Sequence, residues 1–209
     1  MDYQALSLPE KWILKGIPFI FCIGSLLHFC FDLSKGNLLI GLIAPVNQSV
    51  WEHLKMLPLP VIGWWALYYI VKGMAYGLDK DIWFTCTLIA LVTSLITVPL
   101  LYYFYTQAFG IKLMWIDILI FLFTIAVGQS LALYCYRESV NIPAVWSIAA
   151  FIGLIVIFII FTFAPPKIPL FLDHTTGQYG IPRSKTSINI FPENIIYSKK
   201  SILSRRLRQ

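Results

Sequence analysis

The chain has 209 residues, 58% hydrophobic and 12% charged, with a formal net charge of +6. A soluble domain carries about 25% charged residues, which excludes a soluble globular class. Apolar runs of about 20 residues suit membrane-spanning helices, and the alternating segments of a membrane barrel are lacking.

Five spans are expected, at residues 12–33, 49–71, 82–105, 116–136 and 143–163. The fold class is therefore all-α, a polytopic transmembrane helical bundle. The first run follows Lys11 and Lys15 but exceeds a signal-peptide core, and no A-x-A pattern follows it, so it reads as a retained helix. Connectors two to four, "KGMAYGLDKD", "TQAFGIKLM" and "RESVN", are short, which predicts antiparallel sequential neighbours. Two regions are expected: a five-span bundle over 1–166 and a basic C-terminal tail over 167–209, divided at Pro165-Pro166. Cys22, Cys30, Cys86 and Cys135 all fall in apolar runs and read as small buried hydrophobes.

The first connector differs from the others. Its apolar octet, Leu38 to Pro45, is too short to span and predicts an interfacial or re-entrant segment. It runs into "APVNQSVWEHLK", Ala44 to Lys55. Ser49 and Glu52 fit a reciprocal capping box. Trp51 reads as an interfacial anchor and Lys55 as a snorkelling cation. Asn47 and His53 are surplus to those needs. At the end of the first span, His28 and Asp32 share a helix face, about 6 Å apart along the axis. The third histidine lies in "PLFLDHTTGQYG", where Asp173 and His174 precede Gly177 and Tyr179. An odd number of spans puts connector one, connector three and the tail on one membrane face.

These residues define a candidate site: His28, Asp32, Glu52 and His53 as acid–base or catalytic groups, with Asn47, Ser49, Trp51, Lys55, Asp173, His174 and Tyr179 as binding groups. The candidate cofactor is a divalent metal on His28, Asp32 and His53, since neutral imidazoles and carboxylates ligate such ions. That reading requires the three side chains to converge within about 8 Å of a common point. The tail segment 173–179 would close over the pocket. H-E-x-x-H, nucleophile-elbow, P-loop and dinucleotide patterns are absent. Two functions stay open: a membrane-embedded, metal-assisted enzyme acting on a lipid or amphiphile, or a non-catalytic binding, transport or accessory subunit whose motif is a structural corner.

Within the spans, Thr93, Ser94, Thr97, Gln129 and Ser130 predict interhelical hydrogen bonds. Pro58, Pro60 and Pro99 are expected to kink or break their helices.

The segment "APVNQSVWEHLK" resembles an A-P-V-N-E-S-x-W-E-H-x-K motif in an uncharacterised family of small bacterial integral membrane proteins, paired there with a histidine late in the first span. Here the motif covers Ala44, Pro45, Val46, Asn47, Ser49, Trp51, Glu52, His53 and Lys55, with His28 upstream. Gln48 departs from it, so no role is carried onto Gln48. The resemblance implies membrane placement and names no reaction.

The tail holds eight of the sixteen Lys and Arg residues. Positive charge marks the cytoplasmic side. This predicts a multi-pass protein of the cell (inner) membrane with its C-terminus inside. Without the tail the balance reverses, three basic residues (Lys35, Lys55, Lys112) against five (Lys11, Lys15, Lys72, Lys80, Arg137). The expected partners are the bilayer and anionic lipids drawn to "SKKSILSRRLRQ". A nucleic-acid partner is not expected, because the basic residues concentrate after the last span.

Overall fold

The computed structural model describes residues 3–181; the basic end of the tail lies outside them. The described fold is all-helical. Five helices or helix runs are long and apolar enough to cross a membrane: Leu8–Leu33, Val50–Gly73, Lys80–Phe109, Met114–Arg137 and Ala144–Phe163. In chain order the helices are α1 (Leu8–Leu33), α2 (Leu38–Gly41), α3 (Val50–Leu54), α4 (Pro58–Tyr68), α5 (Lys80–Phe109), α6 (Met114–Arg137) and α7 (Ala144–Phe163). The spans form a bundle in which α1, α4, α5 and α6 pack as neighbours and α7 lies against α5.

The first helix begins at a capping box that the sequence reading did not single out. The Ser7 backbone N–H donates to Glu10 Oε2 at 2.7 Å. Pro18 sits inside α1 and Pro99 inside α5, and both helices run on through them. Of the expected kink or break at Pro99, the break does not occur. Packing from neighbouring helices carries a span past one missing bond.

The second span is the broken one. Lys55, Met56 and Leu57 donate to the carbonyls three residues back, of Glu52, His53 and Leu54. This tight turn separates α3 from α4. Pro58 is the first residue of α4, where a missing N–H is harmless. Pro60 has no N–H to offer the Met56 carbonyl. That oxygen instead lies against α1, 2.8 Å from where a Cβ on Gly24 would be. The span ends in a π turn, Tyr69–Gly73.

Close approach elsewhere also depends on a missing side chain. A Cβ on Gly128 of α6 would lie 2.4 Å from Ser94 Oγ and 2.5 Å from the Ala90 carbonyl of α5. With no Cβ there, Ser94 Oγ shares its proton between the Ala90 carbonyl (2.9 Å) and the Thr124 carbonyl of α6 (3.1 Å). Gln129 is buried, and its Oε1 accepts from Trp65 Nε1 at 3.2 Å. Trp83 Nε1 donates to the Trp65 carbonyl at 2.9 Å. The buried indole N–H groups of Trp65 and Trp83 thus each have an acceptor, as a low-dielectric core requires. Ser130 is exposed, so interhelical bonding holds for Gln129 and Ser94. All four cysteines are free.

Candidate functional site

The ends of α1 and α3 meet at the face carrying the tail. Ser49 caps α3, its Oγ accepting from the Glu52 N–H at 3.3 Å. The reciprocal half of the expected capping box does not form. Glu52 turns inward, and its Oε2 accepts from the Val46 N–H at 3.0 Å. The Ser49 N–H is taken by Asn47 Oδ1 at 2.8 Å. Proximity to Val46, on the folded-back connector, decides this exchange.

Lys55 does not snorkel. It is 3% exposed and its Nζ lies 2.6 Å from Glu52 Oε2, itself on a residue 2% exposed. Nζ also donates to the Gly41 carbonyl at 2.9 Å. A buried charge needs a partner and filled hydrogen bonds, and here each ion has both. The pair therefore ties α3 to α2. Gly41 permits this, because a Cβ there would meet Val46 at 2.8 Å. Within the connector octet, Leu38–Gly41 forms α2, with Leu38 and Leu39 exposed and Gly41 and Ala44 buried.

Trp51 is not a free membrane anchor either. Its ring packs on Phe158 (4.8 Å between centroids), Phe161 (5.3 Å) and Phe171 (4.7 Å). The tail returns to the bundle to supply Phe171. Asn47 Nδ2 then donates to the Gly180 carbonyl at 2.8 Å. Between these two fastenings, Leu172 and Tyr179 form an antiparallel bridge. Asp173 organises the turn: its Oδ1 accepts from the Thr175 N–H (2.8 Å) and hydroxyl (2.7 Å), and its Oδ2 from the Thr176 hydroxyl (2.8 Å). Burial alone would raise the Asp173 pKa, but these hydrogen bonds outweigh it and hold the carboxyl below its ordinary value. His174 is pushed down, by burial and then by the Lys112 charge on connector three. Tyr179 is half-buried.

The two remaining histidines face each other. The rings of His28 and His53 are 5.0 Å apart at 31°. His53 Nδ1 lies 2.8 Å from the Ser49 carbonyl. A carbonyl only accepts, so Nδ1 carries the proton and Nε2 of the neutral ring is an open acceptor. His28 Nδ1 is buried with no hydrogen-bond partner. Asp32, one turn further along α1, is exposed, and its charge is felt at His28. Among the described residues, no three His, Cys, Asp or Glu side chains are gathered so as to hold a metal ion. The expected ligand triad therefore reduces to a histidine pair with a carboxylate nearby.

The structure thus brings Asn47, Ser49, Glu52, His53 and Lys55 together with His28 and the 171–180 segment. Sequence reasoning missed Gly41, Phe158, Phe171 and Gly180. Only Gly180 had a signal, as a glycine in a turn-rich stretch; its φ is +71°.

A family model matches residues 1–181, the five spans and the returning tail segment together. The chain belongs to the family of unknown function DUF6512. An uncharacterised family is what the motif resemblance implied. No curated protein and no solved structure matches the chain.

Proposed function

We propose that this is a multi-pass protein of the bacterial cell (inner) membrane whose working element is the His28–His53 pair. Asn47, Ser49, Glu52 and Lys55 have their bonding spent on one another and on backbone. They are the frame that holds His53 over His28. This favours the non-catalytic reading: a binding, transport or accessory protein with a structural corner and an ion-binding pair. The observation that carries it is the 5.0 Å ring separation, with an unpartnered nitrogen on His28. Two imidazoles on one ion, each with a metal–nitrogen distance of about 2.0–2.1 Å, set ring centres about 4.5–5.3 Å apart. A borderline divalent ion such as zinc or nickel suits two imidazoles.

One observation favours a metal-assisted enzyme acting on a lipid or amphiphile as a second reading. Asp32 is exposed one turn along α1 from His28, a carboxylate that would serve as a proton acceptor were an ion held by the pair. The tail segment 173–179 borders the same face. Eight basic residues after the last span support a cytoplasmic C-terminus, with attraction of the tail to anionic lipid.

Zinc titration of the purified protein tests the pair. One ion per chain is expected, lost in His28→Ala and in His53→Ala, with both variants keeping their thermal stability. The reading fails if no ion binds, or if His53→Ala unfolds the protein as Lys55→Ala is expected to. Release of product from a bacterial lipid extract only by zinc-loaded protein, abolished in Asp32→Asn, would select the enzyme.

A further inference from the structure

Connector one, the second span and α7 leave a groove of about 220 Å³ between them. Leu42 and Ile43 form its end at the tail face, Leu59, Ile62 and Gly63 one wall, and Ile155 and Phe158 the other. The two walls stand apart because α4 and α7 each pack on α5. Gly63 keeps the groove open, since a Cβ there would meet no atom within 4 Å. Gly63 is the fourteenth of the 24 residues of the second span, and Ile155 the twelfth of the 20 of α7, so the groove reaches mid-span. Lys55 lines it too, but its Nζ is held by Glu52 and the Gly41 carbonyl and brings no unpaired charge.

The lining is held in place from behind. Phe158 is buried against Trp51, 4.8 Å between centroids, and the Ile43 N–H donates to the Ile40 carbonyl at 3.0 Å. The mouth opens on the surface that faces lipid. Ile43, Leu59 and Ile155 are exposed at it, and that apolar surface continues along Leu67 of α4 and Ile152 of α7. Three kinds of occupant could reach this depth, and size and polarity separate them. One turn of an α-helix, about 10 Å across and 5.4 Å long, fills about 420 Å³, so a helix of a second copy would lie across the mouth and not in the groove. A non-helical peptide would bring N–H and C=O groups into a lining of apolar side chains, where each costs several kcal/mol. A hydrocarbon chain is slender and has nothing to satisfy.

We propose that this groove binds one acyl chain of a membrane phospholipid, its glycerol end beside Leu42 and Ile43 and its methylenes running between α4 and α7. The groove is continuous with the bilayer-facing surface, so phospholipid supplies the chain. With no unpaired charge in the lining, the chain is recognised and the headgroup is not. The site is independent of the histidine pair.

The test uses the full chain in vesicles containing phosphatidylcholine or phosphatidylglycerol with a photoreactive diazirine in one acyl chain. Labelled residues are located by mass spectrometry after irradiation. Labelling is expected to concentrate on Leu42, Ile43, Ile155 and Phe158, equally for the two headgroups. Gly63→Leu puts a side chain into the groove without a clash and should lower that labelling at least fivefold. Ile155→Trp fills it from the other wall and should give the same loss at Leu42 and Ile43. Gly153→Leu adds the same side chain to α7 at an open position outside the lining and should leave labelling at Leu42 and Ile43 unchanged. Labelling spread evenly over all lipid-facing helices overturns the proposal, and so does labelling by one headgroup class alone. A dimer in native mass spectrometry that Gly63→Leu abolishes, with the groove residues unlabelled, would assign the groove to a second copy and overturn it as well.

Discussion

The Glu52–Lys55 pair shows how a residue's surroundings change its meaning. On an isolated helix, Lys55 would reach for water. Here, folding places it under α2, with Glu52 and the Gly41 carbonyl as partners. Lys55→Met would leave the Glu52 carboxylate buried beside an apolar side chain, at a cost of about 3–5 kcal/mol. Thermal unfolding in detergent should show this as a large drop, against almost none for Asp32→Asn at an exposed position. Adding Glu52→Leu to Lys55→Met should recover much of the loss, because no unpaired charge then remains. If the double variant is no better than the single one, the pair stabilises beyond mutual compensation. Gly128 is a second sensitive position. Gly128→Ala drives a methyl into Ser94 and the Ala90 carbonyl, and separating α5 from α6 should cost about 1–3 kcal/mol.

At the scale of elements, the returning tail segment is held by few contacts: Trp51 on Phe171 and Asn47 on Gly180. Asn47→Ala removes the second and also the acceptor of the Ser49 N–H. Limited proteolysis should then cut between 173 and 180 several times faster, with the spans intact. The same turn is expected to loosen with acid in two stages. The His174 pKa lies below its ordinary value of 6.5, so the folded turn holds fewer protons than the free segment. Its contribution is full above that value and falls as pH drops below it. The Asp173 pKa lies below 3.8, and its contribution is lost as pH falls from that value through the folded one. Hydrogen exchange of the 172–179 amides against pH should show both steps; His174→Gln should remove the upper one alone.

For the whole molecule, the parity of the spans decides which ends meet. Five spans put connector one, connector three and the tail on one face, and the Asn47 amide donating to the Gly180 carbonyl joins the first to the last. The proposed orientation puts that face inside the cell. An alkaline phosphatase fused after Gln209 should be inactive and a fluorescent protein bright; the opposite pair of results reverses the orientation. Removing residues 198–209 deletes five of the tail's eight basic residues and leaves six on that face (Lys35, Lys55, Lys112, Lys167, Arg183 and Lys185) against five opposite, close to balance. A mixed topology is then the expected outcome, read by the same reporters.

Span number, span order and the shared face were legible because each depends on local apolar length and on counting. The approach of His53 to His28 was also readable, as sequential spans meet at their joined ends. The partners of Glu52, Asn47 and Trp51 were not. A capping box, an anchor and a snorkelling lysine are what those residue types do on a lone helix at an interface. The tertiary fold overrides each, because connector one folds back over α3 and offers the Val46 N–H and the Gly41 carbonyl, while the tail brings Phe171 and Gly180 from more than a hundred residues away. The sequence alone determined that polar groups would gather at this corner. Only the tertiary structure decided which are consumed in building it and which, His28 and His53, keep a nitrogen free, since burial and hydrogen-bond satisfaction belong to the packed chain and not to its local pattern.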